Sequence, residues 1–396
     1  MTAPLHIERN RVIVLLAIAG FASSANQRML DSALPQIAVD FGVSNGMAAQ
    51  VNTAYALSYS LMQIGLGFVG DRLGKYRMVL FLCLFSSVAT STAAAAYSVE
   101  SLLVARFLAG AAASAIIPMS LAWIGDNVPF AERQPVLARY MVGSILGLVF
   151  GQLVGGVLTG FVDWRLVPVV AGCVYLIVTL GLLVEARRMP FLISRSVSDG
   201  GLPFTEVLKR VLGRPWPRRV LLAVSLEGFA LFATVTFISI SIAARFEINP
   251  ALVGAILALY AVGSACNSLI VGRLLPVMGR GSFFILAASL AIAGMALISI
   301  APVLPLVALG VAVMGLGGAG MHNSLQTLGT QLLPEARASG FAFFATCLFA
   351  SQSIGVAVYG ILIDAYGIAA PFTVGMALVA ILGLWFAAAI RNAPEN

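Results

Sequence analysis

Apolar residues along this chain fall into long continuous runs separated by mostly short polar connections. A helix needs roughly 20 apolar residues to cross a bilayer core. Twelve such runs can be placed. The first six are 12–38, 47–68, 78–97, 100–125, 136–160 and 165–186. The second six are 218–244, 250–271, 282–300, 303–328, 341–363 and 369–390. Helices are the expected element, because lipid cannot hydrogen-bond a bare backbone. A membrane barrel would instead show short alternating segments. The first run carries Asn26, Gln27, Arg28 and Asp31, so it is read as a span rather than as a cleaved leader.

The longest polar connection runs from Arg187 to Pro217 and separates six spans from six. The two halves echo each other. "GFVGDRLGK" from Gly67 and "GRLLPVMGR" from Gly272 share spaced glycines and a terminal cation, 205 residues apart. "GAAASA" from Gly110 and "GLGGAG" from Gly315 repeat at the same offset. Gln152, Gly155 and Gly160 match Gln352, Gly355 and Gly360 at an offset of 200. Near-constant offsets indicate a duplicated unit. The expected fold is an all-α membrane protein, with twelve transmembrane helices in two pseudo-symmetric six-helix bundles. The expected boundaries are 11–187 for the first bundle, 188–217 for a cytoplasmic linker and 218–391 for the second bundle. Two such bundles suggest a transporter whose path lies between them.

Composition agrees: the chain is 60% hydrophobic and only 10% charged, far from a soluble domain. Charge adds orientation. If the N-terminus is cytoplasmic, 19 of the 23 Lys and Arg residues fall on inner connections, and both termini face the cytoplasm. The net charge of +7 then reflects topology rather than nucleic-acid binding. Cys83, Cys173, Cys266 and Cys347 lie inside apolar spans without CxxC spacing, and His6 and His322 make no metal site. "GLGFVG" at Gly65 and "GLGGAG" at Gly315 fit a dinucleotide pattern but lack its strand–helix context, so close helix packing accounts for them better. Neither a Walker A motif nor a cofactor signature is present, which argues against an intrinsic ATP-driven pump or an enzyme.

Several motifs carry a resemblance. Gly67, Asp71, Arg72, Gly74 and Lys75 form G-x-x-x-D-R-x-G-K after the second span. Arg106 and Gly110 lie in "ARFLAGAAAS". "GLVFGQLVGG" from Gly147 and "LDSALPQIAVDF" from Leu30 lie in the fifth and first spans. On these residues the chain resembles the major facilitator superfamily, and within it the twelve-span drug:proton antiporters. Gln152 stands where the helix 5 signature of antiporters usually has proline. The resemblance implies that helices 2 and 8 face a central cavity. It also implies that the charges around Asp71, with Asp126 at the inner end of span four, latch the two halves when the protein faces outward. The alternative for that cluster is solvated loop charge that only sets topology.

Ionisable residues inside a membrane are costly and default to functional candidates. Asp31 and Arg106 are expected at similar depths on spans one and four, where they can meet. Two readings stand: a permanent ion pair, or a carboxylate that titrates as the outer gate moves. Glu227 in span seven has no cation near it in sequence. It is read either as a proton or cation site, or as a neutral acid bonded to a neighbouring helix. Asn52, Tyr55, Tyr59 and Gln63 form one stripe on span two, as do Tyr260, Ser264 and Asn267 on span eight. They line a substrate cavity or bond helix to helix. Asn26, Arg28, Gln152, His322, Asn323, Gln326 and Gln352 complete the cavity candidates.

The function expected is proton-coupled efflux of a small, partly apolar organic compound by alternating access. The rivals are an uptake permease of the same superfamily and a receptor or scaffold that moves nothing. The partners expected are a small-molecule substrate, protons and the lipid bilayer, with a monomer sufficing. A bacterial inner membrane is the expected location.

Overall fold

The computed structural model describes residues 3–193, 204–333 and 337–391. Among them every regular element is a helix. Eleven stretches are long and apolar enough to span a membrane. The twelfth span is helix α3, Asn45–Leu73, whose 29 residues reach roughly 43 Å at the helical rise. Its polar stripe makes it the least apolar of the set.

Three expected spans are interrupted. The first splits into α1, Ala3–Arg28, a 3₁₀ turn at Asp31–Ala33 and α2, Leu34–Phe41. Pro35 explains the restart, since its missing N–H is tolerated in a first helical turn and disfavoured further in. The fourth splits into α5, Val99–Ala113, and α6, Ile116–Asn127, with Pro118 in the first turn of α6. Ser98 and Ser101 form a capping box at the start of α5. The seventh begins as α10, Pro215–Glu227, widens into a π turn at Gly228–Phe232 and resumes as α11, Ala233–Thr236, and α12, Ile238–Arg245.

The remaining spans are α4, Lys75–Thr92, α7, Phe130–Phe161, and α8, Leu166–Arg188. After them come α13, Pro250–Met278, α14, Arg280–Ile300, and α15, Leu304–Gly329. The last two are α16, Arg337–Tyr366, and α17, Ala370–Arg391. The long connection also contains an amphipathic helix, α9, Phe204–Gly213. Its Val211 joins the apolar core, while Arg210 bonds Glu206 at 2.7 Å and holds that carboxyl below its usual range. So α10 starts three residues before the expected span, and much of the expected linker is helical.

The chain forms two compact units, residues 1–33 with 54–199 and residues 34–53 with 200–396. In the first unit α1 lies along α7. A Cβ at Gly147, Gly151 or Gly155 would overlap the carbonyl oxygens of Phe21, Ala25 and Met29. Lipid is as apolar as leucine, so close backbone approach rather than hydrophobic transfer holds such helices together. In the second unit Phe284, Met295, Met314, Phe344, Phe372 and Phe386 fill the core.

The duplication recurs in packing. Gly110 meets the Tyr55 carbonyl in the first unit, and Gly315 meets the Tyr260 carbonyl in the second; both members shift by 205 residues. Gly155 on Met29 recurs as Gly355 on Phe229, both shifted by 200. Gly74 and Gly279 each precede a helix with φ of 95° and 75°, a backbone conformation that glycine adopts without strain.

Candidate functional site

Each unit buries ionisable side chains beside an interrupted helix. In the first unit one such centre is Arg106, midway along α5 and fully buried. Its Nη1 donates to the Asn26 side-chain oxygen at 3.0 Å and to the Asn26 carbonyl at 3.1 Å. The Asn26 amide in turn donates to Thr90 Oγ1 at 2.9 Å, tying α1, α4 and α5 together. The guanidinium carbon lies 4.2 Å from the Tyr55 ring centre. Such a desolvated cation–π contact contributes about 2 kcal/mol. Arg106 Nε and Nη2 have no hydrogen-bond partner.

Asp31 acts on Arg106 through its charge, as expected, without supplying its hydrogen bonds. The hydrogen bonds of Arg106 go to Asn26, about one turn earlier on the chain, while Asp31 pairs with Arg28 at 3.5 Å. The helix ends at Arg28, and Asp31 opens the 3₁₀ turn beyond it, still close enough to act on Arg106 electrostatically. Both Asp31 and Arg28 are buried.

In the second unit the centre is Glu227, the last α-helical residue before the π turn. Sequence offers it no partner nearby, but α15 brings His322 to it: Nδ1 lies 3.0 Å from Glu227 Oε2. A hydrogen bond between these two atoms requires a proton on one of them. The other oxygen, Oε1, is buried without a partner among the described residues. Glu227 is fully enclosed, whereas the His322 side chain is 21% exposed and forms the open edge of the pair. The rings of Phe232 and Phe344 lie 5.3 and 6.1 Å from the imidazole. A single-turn π bulge shifts the register of all that follows, and such turns concentrate at functional sites. Here it follows Glu227 directly, where Gly228 packs against Ser351 and the Leu348 carbonyl.

The cavity candidates divide. On α3, Tyr55 and Tyr59 stack at 6.1 Å, and Asn52, Tyr55, Tyr59 and Gln63 are all buried. On α13, Asn267 donates to the Leu316 carbonyl at 3.2 Å and Ser264 to the Gly315 carbonyl at 3.1 Å. That stripe bonds α13 to α15, while Tyr260 remains partly buried. Gln152 and Gln352 are buried at matching places on α7 and α16. Asn323 and Gln326 are half-buried on α15. Among the latch candidates, Lys75 forms an ion pair with Asp126. Both belong to the first unit, so the pair ties α4 to α6. The surroundings of Gly67 and the side chains of Asp71 and Arg72 lie outside the described residues.

Two features had no sequence signal. Thr90 reads as an ordinary threonine, yet it completes the Arg106 network. Asp364, at the end of α16, accepts from Ser44 Oγ at 2.6 Å and from the Gly46 N–H at 3.1 Å, and so caps α3 from 318 residues away.

Against known proteins, the family model described as "Major Facilitator Superfamily" matches residues 16–241 and 220–396. The multidrug export protein EmrB of Haemophilus influenzae is 26% identical over 149 residues, 38% of this chain and 29% of that protein. The puromycin resistance protein pur8 of Streptomyces alboniger is 27% identical over 343 residues, 72% of this chain and 67% of that protein. The chain thus aligns with less than a third of the length of the first relative. Among solved structures, the nucleoside transporter NupG superposes with a TM-score of 0.78 at 16% identity, covering 95% of this chain and 99% of that one.

Proposed function

The chain belongs to the major facilitator superfamily, and on that premise we propose that it is a proton-coupled exporter of a small, partly apolar organic compound. As a member of that family it is a multi-pass membrane transporter rather than an enzyme. Export is favoured by relatives whose names describe drug export and resistance. The observation that carries coupling is the Glu227–His322 pair, a fully enclosed carboxylate bonded to an imidazole at 3.0 Å. Both members can take up or release a proton, and the partly exposed imidazole gives the carboxylate a route to water.

In this reading the halves 11–187 and 218–391 rock in alternating access in a bacterial inner membrane, with both termini cytoplasmic and a monomer as the working unit. Proton occupancy at Glu227 biases one conformer over the other. The π turn beside it supplies the backbone that changes, since a ligand shifts an equilibrium by its differential affinity for two states. Asp31, with Arg28 as its partner, is the second proton candidate, and Arg106 is its fixed-charge neighbour.

The test is transport in proteoliposomes with an imposed pH gradient and a panel of aromatic drugs that includes puromycin. Gradient-driven movement is expected, lost in Glu227→Gln and altered in pH profile by His322→Gln. If Glu227→Gln and Asp31→Asn both leave gradient-driven transport intact, the proton assignment is wrong. Accumulation toward the acidic interior marks export in exchange for protons, and the opposite sense marks uptake.

A further inference from the structure

The first unit carries a second feature that the ionisable centres do not explain. A groove of about 570 Å³ runs between α1 and α7. Its walls include Val14, Ile18 and Phe21 on one helix and Val136 and Tyr140 on the other. From Asn10 to Phe21 it follows α1 for roughly 16 Å at the helical rise. This is within the volume range of sites that hold drug-sized molecules, about 300–1,000 Å³. Val14 is 56% exposed and Ile18 38% exposed, so the apolar wall is open rather than filled by protein.

Charge along the groove is one-sided. Among the described lining residues Arg139 is the one charged side chain. Arg139 is exposed and makes no ion pair among the described residues. Three other cations of this unit are already engaged. Arg9 is held by Glu132 at 2.6 Å, Arg133 donates to the Val128 carbonyl and Lys75 pairs with Asp126. An apolar trough with an uncompensated guanidinium at one end complements a molecule with an apolar body and an anionic end. Guanidinium also matches carboxylate, sulfonate and phosphate geometry better than a point cation does.

We infer that the α1–α7 groove is a binding subsite for small amphipathic organic anions, with Arg139 holding the acidic group and the Val14–Phe21 wall holding the apolar body. This deepens the export reading by naming a substrate class. It is tested at equilibrium without a gradient, so failure of coupling and failure of binding can be told apart. The acidic group enters at the end where Asn10 and Arg139 lie. The wall formed by Ile18 and Phe21 leads along α1 toward Asn26 and Arg28.

The experiment is calorimetric titration of the full-length protein in phosphatidylcholine nanodiscs. Three probes share one ring system: naphthalene sulfonate, naphthalene methanol and naphthyl methylamine. The anion should bind about fivefold to tenfold tighter than the alcohol, the gain of one partly exposed charge contact, and the amine should bind weakest. Arg139→Gln should erase the preference while leaving alcohol binding unchanged. Arg139→Lys should restore part of it. Val14→Trp should abolish binding of all three, with an unchanged melting temperature showing that the bundle remains folded. Equal anion binding in wild type and Arg139→Gln, or a preference for the amine, would overturn the proposal. So would loss of anion binding when phosphatidylglycerol is added to the nanodiscs, because the groove would then be a lipid site.

Discussion

The two units place different chemistry on a repeated scaffold. Gly110 on Tyr55 and Gly315 on Tyr260 are one contact made twice, as are Gly155 on Met29 and Gly355 on Phe229. The polar centres are not repeated. At the same offset of 205, Val311 stands opposite Arg106, and Ile117 opposite His322. At the offset of 200, Gln27 stands opposite Glu227. Close helix packing depends on small residues at fixed spacing, so it survives duplication. A buried charge needs a full set of partners, and the sets around Arg106 and Glu227 have no counterpart in the other unit. The sets also differ in kind. Arg106 is held by a neutral amide and a ring, and a guanidinium keeps its proton at any physiological pH. In the Glu227–His322 pair both members can titrate. On the proposed reading, the first centre supplies a fixed charge and the second the element that protons switch.

The sharpest way to break that contrast is Glu227→Gln, which installs the residue type found at position 27. Gradient-driven transport in proteoliposomes should collapse to the rate without a gradient, while Arg106→Lys should keep a gradient response. A coupled Glu227→Gln protein would end the division of roles.

Next in size is Arg106→Met. It leaves the Asn26 side-chain oxygen and carbonyl without their buried donor, a cost of about 2–4 kcal/mol. The melting temperature in detergent should fall clearly. Arg106→Lys should fall less, since it keeps the charge and loses the planar fork over Tyr55. An Arg106→Met protein as stable as wild type would mean that the Asn26 network holds nothing.

The shared scaffold predicts a matched pair of moderate effects. Gly110→Val and Gly315→Val each drive a side chain into a tyrosine carbonyl and should each cost about 1–3 kcal/mol. Their melting temperatures should drop by similar amounts; a large cost in one and none in the other would show that the seams have diverged. Smallest is Lys75→Gln. Its partner Asp126 is 46% exposed, so the lost pair is worth about 0–1 kcal/mol and should leave thermal stability nearly unchanged. A shift in the inward and outward populations of that variant, followed by spin-label distances, would assign the pair a conformational role that its modest energy does not suggest.

Much of the frame was legible before any coordinates. Span count, the two-bundle architecture and the repeat follow from local quantities: apolar run length and glycine spacing. The helix breaks were less visible. Pro35 and Pro118 mark two of them, but both stand within runs long enough to read as single spans. The π turn after Glu227 has no marker in "LEGFALFA", since its cause is the fit of Gly228 against α16.

By itself, then, the sequence determined the axial level of each residue: the distance of Asp31, Arg106 or Glu227 from its span end follows from helical rise. It did not determine which way each residue faces or what stands opposite. Asn26 and Asp31 lie within about two turns on one run, and only the end of α1 at Arg28 separates them, one reaching Arg106 and the other Arg28. Glu227 and His322 are 95 residues apart, and neither carries a local sign of the other. Depth is a property of one helix. Partnership depends on the rotation and register of two, and those are set by the small-residue seams that bring the backbones together.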